Sequence, residues 1–181
     1  MTHIYTFDDV KSIAKQLKTK KKAAIIETDT VMGIVALNAE LIYQIKNRPK
    51  HKLLVVFISD INEIKGLTTK EKTILKKDVP GALTIIKNGI GYRIPDHEGA
   101  LSLIKLTGPI HSSSANISDC DPVNDINEAI KVFNKNKDKI LFVEGKNLSY
   151  TPSTIINLDN LQIVRDGPID GKKILKQLWK K

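Results

Sequence analysis

The sequence predicts a single layered α/β domain. Three observations lead there. Short apolar runs such as Ala23 to Ile26 and Ile140 to Val143 have the length of buried strands, segments with apolar residues at helical spacing fall between them, and Asn88-Gly89 joins two further runs as a hairpin turn would. The 181 residues suit one domain that buries roughly two thirds of the surface its unfolded chain exposes. Hydrophobic residues make up 41% and charged residues 27%, proportions that argue against a disordered chain. No internal repeat, Pro-rich linker or composition shift divides the chain, so residues 1–181 are read as one unit.

Val10, Ile13, Ala14 and Leu17 recur at i, i+3, i+4 and i+7 after a capping Thr6, which predicts an amphipathic helix ending in the lysines of 18–22. Cations suit a helix C-terminus, where unpaired carbonyls carry partial negative charge, so this run reads first as a solvated end. Ala23 to Ile26 then reads as a buried strand delivering the polar loop Glu27-Thr28-Asp29-Thr30. Leu41, Ile42 and Ile45 fit a short helix whose last turn presents Lys46 and Arg48 before Pro49 stops it, and Leu53 to Ile58 is a second strand. A helix is expected around Thr69 to Lys77. After Pro80-Gly81, Leu83 to Lys87 and Gly91 to Ile94 read as the hairpin's strands. Ile110 leads into Ser112 to Asn116, read as a strand-to-helix connection, and Ile126, Ala129, Ile130 and Phe133 mark the next helix. Strands are expected at Ile140 to Val143, Thr154 to Leu158 and Leu161 to Val164, the last running into Arg165, before a closing helix with Ile174, Leu175, Leu178 and Trp179.

The net charge of +9 attracts polyanions such as nucleotides, nucleic acid or anionic lipid, without naming which. A single cysteine, Cys120, leaves no intrachain disulfide, and a reducing cytoplasm is the simplest expectation. No secretory h-region and no apolar stretch of roughly 20 residues is present, so no membrane partner is expected. His3, His51, His97 and His111 are scattered without zinc spacing. A GxxxxGK[ST] loop is absent, and Ser112 to Ser114 beside His111 lack the GxSxG context of a serine hydrolase.

Polar residues gather instead at strand ends: Thr28 and Thr30, Lys46 and Arg48, Arg93, Ser112 to Asn116, Ser153 and Thr154, and Arg165. Ligands of open α/β sheets bind at such ends. Singly, each has an ordinary explanation, because Ser, Thr and Asn favour turns and caps.

Together they lie in seven ordered blocks: ETDTVMGI, KNRP, PGALTIIK, GYRIPDHE, SSSANIS, PSTIINL and IVRDGPI. This series resembles the YrdC/TsaC family of threonylcarbamoyl-AMP synthases, in its short single-domain form, and the tetrad Lys46, Arg48, Ser114 and Asn116 is its most specific part. The chain differs from the family pattern at Glu27 for proline, Met32 for tyrosine, Ala82 for the second proline of PGPLT and Lys52 for a common asparagine.

The resemblance implies a YrdC-like twisted mixed β-sheet flanked by helices around a central basic cavity. It implies condensation of L-threonine, bicarbonate or CO2 and ATP to threonylcarbamoyl-AMP and pyrophosphate, for threonylcarbamoyladenosine modification of tRNA. Thr30, Arg93, Ser112 and Ser153 would face threonine, and Lys46, Arg48, Lys52, Ser114, Asn116 and Arg165 the ATP, with Lys46 and Arg48 catalytic. Mg2+ is expected with ATP on its phosphates, since no carboxylate cluster resembles a protein-held site. The implied partners are the tRNA threonylcarbamoyl-transfer machinery and, with it, tRNA. Two other readings stand beside this one: an RNA-binding module without synthase activity, for which few aromatics are present, and a carbamoyl-transfer enzyme, whose additional domains the chain has no room for.

Overall fold

A computed structural model describes residues 2–145, 149 and 151–179. Its ten strands are β1 (Ile4–Thr6), β2 (Ala23–Ile26), β3 (Gly33–Ala36), β4 (Val55–Phe57), β5 (Leu83–Lys87), β6 (Ile90–Arg93), β7 (Ile110–Ser114), β8 (Ile140–Glu144), β9 (Thr154–Asn157) and β10 (Gln162–Arg165). Its helices are α1 (Val10–Thr19), α2 (Ala39–Lys46), α3 (Thr69–Leu75), α4 (Glu98–Thr107), α5 (Ile126–Val132) and α6 (Gly171–Trp179). Among the described residues these ten strands form one mixed sheet in the order β1-β8-β2-β3-β7-β4-β6-β5-β9-β10. The β1–β8, β8–β2, β4–β6 and β5–β9 pairs are parallel and the rest antiparallel.

The period-two alternation of the central strands decides which helices cover which face. Ala23 and Ile25 of β2, with Ile140 and Phe142 of β8, point toward Ile42 and Ile45 of α2 and Ile126, Ala129 and Phe133 around α5. Ala24, Ile26, Leu141 and Val143, one residue out of phase, point the other way onto Ile13 and Leu17 of α1 and Leu103 and Ile104 of α4. A third cluster buries Leu75 of α3 and Ile174 of α6 against Leu83, Ile85 and Ile156. Among the described residues no helix is long and apolar enough to cross a membrane.

Three elements escape the sequence pattern. β1 has only three residues and exists through its pairing with β8, a partner far away in sequence. β3 follows the polar loop in a stretch to which the sequence pattern assigns no element, and α4 begins at a cap of an unusual kind, His97, whose Nδ1 accepts from Ala100 N at 3.2 Å. Two expectations are corrected. Ser112 to Ser114 are not a connection but the end of β7, paired with β3 and β4. Arg48 is not in the last turn of α2, because Asn47 adopts a left-handed conformation (φ 49°) that ends the helix at Lys46, before Pro49 can act.

Phe142 is 0% exposed and central to the first cluster. Its replacement by alanine leaves a cavity that β2 and β8, held in register, cannot collapse. Phe142→Ala should lower the unfolding free energy by about 3 to 5 kcal/mol, read from urea denaturation midpoints at constant m-value.

Candidate active site

The loop after β2 folds back on itself. Thr28 Oγ1 lies 3.2 Å from Thr30 Oγ1 and donates to Val31 O at 2.9 Å, and Thr30 N donates to Thr28 Oγ1 at 3.2 Å. This turns Thr30 and Asp29 toward the end of β6. There Arg93, 6% exposed, donates from Nη1 to Thr30 Oγ1 at 2.7 Å, from Nη2 to Asp29 Oδ1 at 2.6 Å and from Nε to Gly81 O at 3.2 Å. Its guanidinium carbon stands 5.8 Å from the centre of the Phe57 ring. Burial pulls the Arg93 pKa down, and Asp29 opposes that shift, so the ion pair keeps the cation charged.

Arg165, at the end of β10, crosses to the segment before β9. Its Nε donates to Ser153 O at 2.9 Å and its Nη2 to Ser153 Oγ at 3.2 Å. Ser153 Oγ in turn lies 2.8 Å from Thr84 Oγ1 on β5. Gly167 makes this crossing possible, since a Cβ there would stand 2.5 Å from Thr154 N and 2.7 Å from Pro152 O. Arg48 is held by main chain alone, donating from Nε to Lys52 O and from Nη2 to Leu53 O, each at 2.9 Å. Burial also lowers the pKa of Arg48 and of Arg165, and the charge of Arg93 adds to the lowering at Arg165.

These segments enclose an open cavity of about 310 Å3. Of the residues singled out from sequence, Thr30, Arg48, Arg93, Ser112, Ser114, Ser153 and Arg165 line it. Lys46, Lys52 and Asn116 do not. Lys46 is 0% exposed, and its Nζ donates to Ser114 O and, at 2.7 Å, to Asn116 Oδ1. Asn116 Oδ1 also accepts from Ser114 Oγ at 2.8 Å, and its Nδ2 donates to Cys120 O. Lys52 forms an ion pair with Asp119 at the surface. Lys46 thus lies beneath the wall, where it orients Ser114 and Asn116.

Sequence reading left Thr84 and Asp29 out of the candidate set. Thr84 faces Arg93 across the β5–β6 pair, a register that the Asn88-Gly89 turn could have supplied. Asp29 carried no local signal beyond its place between two threonines. The cavity's side chains include three arginines and no carboxylate among the described residues, because the nearby Asp29 is spent on Arg93. Such a set is chemically suited to anions and presents hydroxyls toward the cavity.

Fold and site together define a YrdC-like α/β domain with an arginine-lined cavity. Residues 16–167 match the Sua5/YciO/YrdC family profile, described as telomere recombination, and the chain belongs to this family. It is 31% identical over 169 residues to the uncharacterised protein MG259 of Mycoplasma genitalium, covering 92% of this chain and 37% of that protein. It is 35% identical over 131 residues to a threonylcarbamoyl-AMP synthase of Bacillus subtilis, covering 58% of this chain and 38% of the synthase. The chain therefore spans little more than a third of the length of these curated relatives. Among solved structures, P. abyssi Sua5 complexed with L-threonine superposes with a TM-score of 0.85 at 23% identity, covering 99% of this chain and 62% of that one. E. coli YciO superposes with a TM-score of 0.82 at 19% identity, covering 96% of this chain and all (100%) of that one. Both share the fold.

Lys46 also sets a dependence on pH. Burial first, and the Arg48 charge second, lower its pKa from 10.5 to about 7. The unfolded chain holds that proton up to about pH 10.5 and the folded chain releases it near 7, so the charge opposes folding below pH 7 and the penalty fades as pH rises to 10.5. The difference in unfolding free energy between wild type and Lys46→Met should therefore move in favour of the wild type between those values. Paired urea titrations across the range would read it, and a flat difference would show that Lys46 keeps its usual basicity.

Proposed function

We propose that the chain is an L-threonylcarbamoyladenylate synthase that condenses L-threonine, bicarbonate or CO2 and ATP to threonylcarbamoyl-AMP and pyrophosphate. The observation that carries this reading is the convergence of Arg48, Arg93 and Arg165 with the hydroxyls of Thr30, Ser112 and Ser153 on one carboxylate-free cavity. The similarity to the Bacillus subtilis synthase supports it. So does the fold shared with the Sua5 structure that holds L-threonine.

The reaction brings several anions together. Carboxylation of threonine's amine by bicarbonate releases water and leaves a carbamate, whose oxygen then attacks the α-phosphorus of ATP as pyrophosphate departs. The enzyme's main task is to gather and neutralise these charges, and cations already fixed in place do this without reorganising. Arg93 receives the threonine carboxylate. One N–H of each terminal nitrogen is committed to Thr30 and Asp29, and the planar fork leaves a second pair for a bidentate contact. Ser112 and Ser153 orient the amino acid, and an apolar isostere of threonine would leave buried hydroxyls unpaired there. Arg48 and Arg165, with the Ser114 hydroxyl, meet the phosphates. Lys46 acts through Ser114 and Asn116. No side chain serves as a nucleophile, and orientation of bound reactants supplies roughly 7 to 11 kcal/mol of the barrier lowering.

Among the described residues no group of three or more His, Cys, Asp or Glu side chains is placed to hold a metal, and the cavity's cations and hydroxyls do not fit a divalent ion. Mg2+ accordingly enters on the phosphates of ATP as part of the substrate. The adenylate product then passes to a cytoplasmic transferase that modifies tRNA.

Purified protein supplied with ATP, Mg2+, threonine and bicarbonate should release pyrophosphate and form threonylcarbamoyl-AMP, detected by mass, and omission of threonine or bicarbonate should stop both. Arg48→Ala should lower kcat/KM for ATP by about a hundredfold. Arg93→Lys should raise the KM for threonine sharply while the ATP dependence stays near that of the wild type. Pyrophosphate release that ignores threonine would refute the reaction.

A further inference from the structure

Two stretches of chain meet at one side of the cavity's mouth. Arg48 and the exposed Leu53 line it from the first, Ser114 and Pro122 from the second. Lys52 lies between Arg48 and Leu53 in sequence yet does not line the cavity. Its Nζ donates instead to Oδ1 of Asp119, an acid of the second stretch, and the ion pair joins positions 67 residues apart.

Both partners have a fixed main chain. Lys52 N donates to Pro49 O at 3.0 Å, and Lys52 O accepts from Arg48 Nε at 2.9 Å. The Lys52 backbone is thereby tied to the Arg48 guanidinium, while its flexible four-carbon stem keeps the freedom to turn. On the other side, Ser118 N donates to Lys46 O at 3.1 Å, Cys120 N to Ile117 O at 3.0 Å and Val123 N to Ala115 O at 2.9 Å. The loop that carries Asp119 is therefore held by main-chain bonds on both sides of the acid. Asp119 itself has φ 67°, a left-handed conformation that favours glycine, so the backbone gives no reason for an acid at this position.

Support of the fold gives no reason either. The Lys52 and Asp119 side chains are 35% and 73% exposed, and ion pairs so open to water stabilise little. The effect of the acid is on the charges around it. The hydrogen bond and charge of Lys52 first, and Arg48 to a lesser degree, hold the Asp119 carboxyl below the ordinary carboxylate range. Asp119 in turn opposes the lowering that burial imposes on Arg48. One carboxylate thus offsets two cations beside the cavity. A phosphate group, with more oxygens and more charge, is a stronger acceptor for an ammonium than a solvated carboxylate.

Resting on the reading that phosphates of ATP meet Arg48, we propose that Asp119 is a counter-ion that sets the affinity for nucleotide. It competes with a bound polyphosphate for the Lys52 ammonium, which turns from Asp119 onto the phosphates beside a stationary Arg48 and returns to Asp119 as pyrophosphate leaves. Asp119 touches no substrate and is a positioning residue.

The test is the dissociation constant of ATP with Mg2+, and of inorganic tripolyphosphate, measured by calorimetry on the full chain without threonine or bicarbonate. Asp119→Asn should bind both about fivefold more tightly, and Asp119→Gly, which suits the left-handed backbone, should do the same. A merely structural role would weaken binding instead. Lys52→Met should bind about fivefold more weakly, and on that background Asp119→Asn should gain less than about twofold, because the competition is gone. Asp121→Asn, the same charge change at an exposed neighbour, should stay within about twofold of wild type. Unchanged or weaker binding in both Asp119 variants, an undiminished gain without Lys52, or an equal gain in Asp121→Asn would each overturn the proposal. Arg48→Ala separates this proposal from the reading beneath it. Weakened binding there beside neutral Asp119 variants removes the exchange alone, whereas binding that ignores Arg48 removes the phosphate site and the exchange together.

Discussion

Moving an arginine side chain out of water costs several kcal/mol unless protein groups replace its hydration, and at Arg93 three separate parts of the chain do so. Asp29 and Thr30 reach it from the loop after β2, Gly81 from the turn before β5, and Phe57 from β4. None of these segments satisfies its own position alone. The folded-back loop of 28–31 is stabilised by its own hydroxyls, but its direction is set by where the guanidinium lies. Because β6 sits between β4 and β5, the ion pair joins the half of the sheet built on α1, α2, α4 and α5 to the half built on α3 and α6. The cavity opens where these halves meet.

Opposite charges are distributed unequally around that junction. Asp29 neutralises one arginine, while Arg48 and Arg165 are held mainly by carbonyl and hydroxyl oxygens, which orient a cation without cancelling it. Burial is the first cause of the depressed basicity of both, offset in part at Arg48 by Tyr43 and Asp119 and deepened at Arg165 by the charge of Arg93, and a bound anion would relieve it. Lys46 is the extreme case. It is fully enclosed and hydrogen-bonded to oxygens, yet has no carboxylate beside it among the described residues. Stability is given up there for a preset arrangement of Ser114 and Asn116.

The outer strands depend on the same economy of partners. β1 is too short to hold together by itself, and β10 is joined to the rest through β9 with a register shift between Ile163 and Arg165. That irregularity is where Arg165 turns toward Ser153, and the missing side chain at Gly167 lets the following segment lie against 152–154. A defect in strand pairing thereby serves the site.

Much of this was legible in the sequence, because strands such as Ala23–Ile26 and helices such as Val10–Thr19 are coded by periodicity, and the hairpin at Asn88-Gly89 by its turn. The composition of the site was legible too, since serines, threonines and arginines recur at the ends of apolar runs in the order of a known family. What periodicity could not carry is pairing between distant segments: the three-residue β1, the serines of β7 lying inside the sheet, and the choice of Asp29 as the partner of Arg93. Nor could it tell a cavity-lining Arg48 from a Lys46 two residues away that the wall encloses, because a left-handed Asn47 separates them. Residue types and local spacing come from the chain, whereas burial and charge compensation belong to contacts between elements, which exist only once the sheet has closed.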